Sequence, residues 1–140
     1  NWDGGCSQAI TALPNVLIWY SSVAALLWLS FHYVTKRKRA AGLILLGVAA
    51  GYLPWLAFLN RTVFEFYTIV FEPFLILALV YAFATYVRNS PPAYKPAAIR
   101  RLVWFVGAAV ALSAYFFSIW TGIETPEWWW RSHMWLPAWI

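Results

Sequence analysis

Negative charge is scarce in this chain: five Asp and Glu stand against ten Lys and Arg in 140 residues, and charged residues make up only 11%. A soluble domain ordinarily carries about 25% charged residues, so a conventional water-facing surface is excluded. The single cysteine, Cys6, cannot form an internal disulfide or a thiolate-built metal centre. Histidine is limited to His32 and His133, too few and too far apart in sequence for a ligand cluster. No glycine-rich loop of the phosphate-cradling kind occurs, nor any Ser or Cys nucleophile with an evident base. Metal and cofactor sites are therefore not expected, and neither is a hydrolytic triad.

What the chain has in abundance is apolar surface, 63% of its residues. It comes in blocks near the 20 residues that a helix needs to cross a hydrocarbon core of about 30 Å. Four are expected, at roughly Pro14–Val34, Ala40–Leu59, Phe66–Val87 and Leu102–Trp120. The fold class expected is all-α: a polytopic membrane protein with four transmembrane helices occupying residues 14–122. Residues 1–13 read as an external loop remnant, and residues 123–140 as a Trp-rich interfacial tail.

Eight of the ten cations fall in two clusters between these blocks, Lys36-Arg37-Lys38-Arg39 and Arg88, Lys95, Arg100, Arg101. Basic loops stay on the cytoplasmic side, which places both termini outside and His32 and His133 on opposite faces of the membrane. Haem, which needs facing axial ligands, is excluded on that topology. The net charge of +5 is explained by topology and anionic lipid rather than by nucleic acid. The chain opens at Asn1 without Met or a basic leader. The expectation is a C-terminal part of a longer multi-pass plasma-membrane protein.

Within the second block, Gly47-x-x-x-Gly51 allows another backbone to approach closely, and Pro54 should kink its outer part. Gly107, Ala111 and Ala114 are compatible with tight packing of the fourth. Asn60-Arg61-Thr62 matches a glycosylation acceptor pattern, a weak signal so close to a membrane.

The third block carries the polar residues. If it is helical from Asn60, then Arg61, Glu65, Thr68 and Glu72 share one arc, because spacings of 4, 7 and 11 return to nearly the same face. A carboxylate about 9 Å inside the outer end is costly and marks either a functional site or a paired group. Glu72 could instead be a cap, if the helix begins at Glu72-Pro73. That start leaves the helix short for a full crossing. Arg61 and Arg131 are the only external cations available to a phosphate.

The stretch RAAGLILLGVAAGYLPWLAFLNRTVFEFYTIVFEPFLILALVYA, the FFSIWTG of the last helix and the ending HMWLPAWI together carry a resemblance. The chain resembles the C-terminal four-transmembrane domain of bacterial, actinobacterial-type polyprenyl- or dolichyl-phosphate-mannose–protein O-mannosyltransferases. The resemblance implies a GT-C-type glycosyltransferase moving mannose, with inversion, from a polyprenyl-phosphate-mannose donor to Ser or Thr of exported proteins. It also implies that the catalytic acidic loop lies in the N-terminal remainder of the enzyme, so that this chain alone is inactive and holds no catalytic residue. The candidate donor-phosphate or groove residues are Arg61, Glu65, Glu72, Arg131 and His133. Eukaryotic relatives tend to be His-rich where this chain has Glu65-Phe66-Tyr67. A non-catalytic four-helix membrane subunit or assembly scaffold would share the topology and the glycine packing.

Overall fold

Helix α1, Val16–Lys36, starts where Asn15 takes extended backbone angles and its Oδ1 accepts the Ile18 N–H at 3.2 Å. That capping bond satisfies one of the amides every helix leaves open at its start. The computed structural model describes residues 5–8, 10–57 and 65–136. After α1 the chain turns at Arg37, in the left-handed region at φ 51°, and reverses within two residues into α2, Arg39–Leu56. Pro54 lies in the final turn of α2, and the helix ends two residues later, as expected of a residue that lacks an N–H.

A 3-10 segment, Glu65–Val70, then leads into α3, Glu72–Asn89. Sequence periodicity had extended an α-helix through this stretch; the regular helix begins at Glu72-Pro73 instead. Pro73 suits a first turn because no intrahelical bond is asked of its nitrogen there, and the Glu72 carboxylate complements the positive end of the helix. The continuous α-helical arc expected from Arg61 to Glu72 is not formed, because the stretch before Glu72 is a 3-10 helix with three residues per turn in place of 3.6. Arg61, Asn60 and Thr62 lie outside the described residues.

A short 3-10 turn, Pro92–Tyr94, precedes the 27-residue α4, Lys95–Thr121. Gly122 closes α4 with φ 69°, its N–H bonded to Ser118 O. A two-residue antiparallel pair follows, β1 (Cys6–Ser7) with β2 (Thr125–Pro126), and then α5, Glu127–Ser132. Helix α1 packs on α2, α3 and α4, and α3 packs on α1, α2 and α4.

The buried core is thin. One cluster joins Ala25, Leu29, Ala41, Ala78 and Leu79 between α1, α2 and α3; the other joins Phe116, Ile119 and Met134 where the tail folds onto α4. Phe31, Leu43, Leu27 and Trp104 are all at least two-thirds exposed. A soluble protein rarely carries apolar exposure this extensive, whereas in lipid it costs nothing. Three described helical segments, Val16–Lys36, Arg39–Leu56 and Pro92–Thr121, are long and apolar enough to cross a membrane. Helix α3, which begins and ends with charged or polar residues, is not one of them.

Gly47 and Gly51 do face another element. A Cβ on Gly47 would meet the Phe74 ring, and one on Gly51 would lie 2.8 Å from Phe71 Cβ and 3.3 Å from its Cα. Backbone cannot step aside as a ring can. Gly51→Ala is therefore expected to destabilise the α2–α3 junction by roughly 1–3 kcal/mol, read as a lower thermal midpoint in detergent. An unchanged midpoint would show that the two helices separate freely there. The small residues of α4 behave differently: Gly107, Ala111 and Ala114 are exposed, and nothing lies within 4 Å of a Cβ placed on Gly107.

Candidate functional site

The end of the bundle opposite the basic loops gathers most of the long-range polar contacts. Asn15 does more than cap α1. Its Nδ2 donates to Ala109 O at 2.9 Å and to Ser113 Oγ at 2.8 Å, tying α1 to α4. Trp120 Nε1 donates to Leu13 O at 2.8 Å, and the Thr11 N–H donates to Ile119 O at 2.9 Å. The segment before α1 is thus strapped along α4.

The tail is fastened to the same helix. His133 is completely buried. Its Nδ1 lies 2.7 Å from Trp129 O and its Nε2 2.9 Å from Tyr115 O, while its ring stacks on Tyr115 at 4.0 Å and meets Phe116 edge-on at 5.2 Å. Tyr115 Oη lies 3.0 Å from Ser132 O, and Trp129 Nε1 donates to Ser118 Oγ at 2.9 Å. With such partners His133 is a structural pin whose surroundings are all protein. Arg131 pairs instead with Glu127, four residues earlier, at 2.7 Å, and its side chain is 64% exposed. An exposed i,i+4 pair contributes a few tenths of a kcal/mol, so Arg131 stays accessible.

Glu72 is exposed at the start of α3 and lines a cavity of about 140 Å³ with Pro14, Asn15, Trp19 and Ser22. No described cation pairs with it. Ser22 is 1% exposed, and among the described residues its Oγ alone is a buried side-chain atom with no hydrogen-bond partner. A buried hydroxyl without a partner calls for an explanation, and a cavity of this size, mostly apolar but with Glu72, Asn15 and Ser22 in its wall, has room for a few waters or a ligand hydroxyl. Glu65 lies one 3-10 segment before Glu72 in the chain. The sequence reading missed Asn15 and Ser22. Asn15 was legible as a capping residue placed before an apolar run; Ser22 gave no signal.

Membrane-length helices and a lipid-compatible exterior define a helical multi-pass membrane protein. Within that class the chain is similar to polyprenol-phosphate-mannose–protein mannosyltransferases. It is 29% identical to that of Mycolicibacterium smegmatis over 136 residues, which is 96% of this chain and 26% of the relative. Identity to the Corynebacterium glutamicum protein is 28% over 97% of the chain, and to the Mycobacterium tuberculosis protein 24% over 96%, again 26% of each relative. The chain therefore spans about a quarter of the length of the curated relatives it matches. No protein-family profile and no solved structure matches it.

Proposed function

We propose that this chain is the C-terminal membrane domain of a protein O-mannosyltransferase that takes mannose from a polyprenyl-phosphate-mannose donor and places it on Ser or Thr of exported proteins. The observation carrying this reading is the similarity to mannosyltransferases along nearly the whole chain. A third apolar element between α2 and α4 supports a fourth crossing by α3, with the basic loops cytoplasmic and both termini outside. The acidic loop that performs the chemistry belongs to the N-terminal remainder of the enzyme, and this domain contributes donor-side surface.

On this reading Glu72 and Ser22 meet hydroxyl groups, which a carboxylate and a hydroxyl recognise by hydrogen bonding, while Asn15, its amide already bonded to α4, holds the cavity wall. A phosphate beside Glu72 would be repelled, so the donor phosphate falls to Arg61 or Arg131, with Glu65 beside the groove and the buried His133 holding in place the tail that carries Arg131.

The test is mannosyl transfer to an exported Ser/Thr acceptor by membranes holding the intact enzyme, with radiolabelled polyprenyl-phosphate mannose as donor. Incorporation no greater than in membranes lacking the protein overturns the proposal. Glu72→Gln, normalised to folded protein, is expected to lower transfer about tenfold, the loss of one interaction of about 1.4 kcal/mol in the transition state. Full transfer by the variant would remove Glu72 from the site.

A further inference from the structure

At the basic end, Lys36 and Arg39 of α1 and α2, Lys38 of the link between them and Arg88 of α3 line one cavity of about 500 Å³. None of its lining residues is acidic, and no described carboxylate pairs with any of the four cations. The cytoplasmic bias of basic loops explains why cations lie at this end. It does not explain why cations from two separate loops share one hollow, since Lys95 and Arg100 obey the same bias and do not line it. All four are exposed, so water weakens their mutual repulsion, while an anion entering the hollow is drawn by all of them at once.

The backbone adds to the attraction. Helix α2 begins at Arg39, and its N-cap, Lys38, provides no side-chain hydrogen bond. Its first-turn amides thus open beside the cavity at the positive end of an 18-residue helix, a ready anion-binding arrangement.

An apolar groove of about 750 Å³ adjoins the hollow between α1, α3 and α4, with Trp28, Phe83, Leu102 and Phe105 in its walls. Thr85 and Asn89 line both spaces. Trp28 of the groove stacks at 4.8 Å on His32 of the hollow, forming the partition. A cationic hollow with room for a phosphate headgroup, joined to a lipid-facing apolar groove, fits one kind of molecule. We propose that the basic end holds an anionic phospholipid, its headgroup phosphate among Lys36, Lys38, Arg39 and Arg88 and an acyl chain along the groove. Basic pockets between membrane helices bind acidic headgroups in this way. The inference stands independently of mannosyl transfer.

The test is native mass spectrometry of the intact protein in detergent, titrated with dioleoyl phosphatidylglycerol and, separately, with dioleoyl phosphatidylcholine. Phosphatidylglycerol is expected to bind at least tenfold more tightly. Arg39→Gln/Arg88→Gln should lose that preference by on the order of tenfold, while Lys95→Gln/Arg100→Gln, which removes the same charge from the same side, should keep it. Equal affinities for the two lipids, or equal losses in the two variants, would overturn the site. Displacement of the lipid by glycerol 3-phosphate would also overturn it, by showing that the groove holds no chain. Should the first variant not fold, phosphatidylglycerol with brominated chains is expected to quench Trp28, read as the difference between wild type and Trp28→Phe. No difference would sink the proposal.

Discussion

His133→Ala is expected to destabilise the protein by about 3 kcal/mol, the sum of a cavity left by a fully buried ring and the lost bonds between tail and helix. The tail beyond α5 has few other anchors of comparable depth. With the ring gone, Tyr115, Phe116 and Trp129 lose the group against which all three pack. His133→Gln keeps an amide donor of similar reach and should fall between alanine and wild type. The measurement is the thermal midpoint in detergent, followed by tryptophan emission, which also reports release of the Trp-rich tail. Alanine and wild type melting together would show that the tail is held elsewhere.

Asn15→Ala should cost about as much, roughly 2–4 kcal/mol, because one side chain supplies a helix cap and two contacts to α4. The parts can be separated. Asn15→Ser retains a capping oxygen but cannot reach Ala109 O and Ser113 as well, so its loss measures the bridge between helices. Pairing Asn15→Ala with Ser113→Ala in a double-mutant cycle is expected to give a coupling of about 1 kcal/mol. Additive effects would mean that Asn15 acts on its own helix alone.

The membrane-spanning class was legible in the sequence because apolar run length and cation placement are global constraints that tertiary packing does not override. The starts of α1, α2 and α3 depended on local chemistry. Asn15 capped α1 as its residue type favours. Glu65–Val70 formed a 3-10 helix although its spacing suited a longer α-helix, since Pro73 is best accommodated in a first turn. Glycine spacing was only half informative. Gly47 met α3 and Gly51 the residues just before it, whereas Gly107 of α4 met nothing, and sequence does not say which face of a helix finds a neighbour. At the candidate site, Glu72 was visible as a carboxylate in an apolar run. Its neighbours Asn15 and Ser22 were not, because they arrive from a helix some 50 residues away in the chain.

The unequal helix lengths have a consequence for the bilayer itself. Helices α2 and α3 have 18 residues each and lie side by side, so each measures about 27 Å, against about 40 Å for the 27 residues of α4. On the proposed topology, in which α3 also crosses, lipid meeting the α2–α3 flank thins to match it, whereas α4 answers the mismatch by tilting or by standing proud. That same topology puts the thinned lipid on the flank whose α3 begins at Glu72. A long-chain amphiphile diffusing in such a thinned leaflet would have its head lowered toward the protein interior, without any segment of the chain having to move.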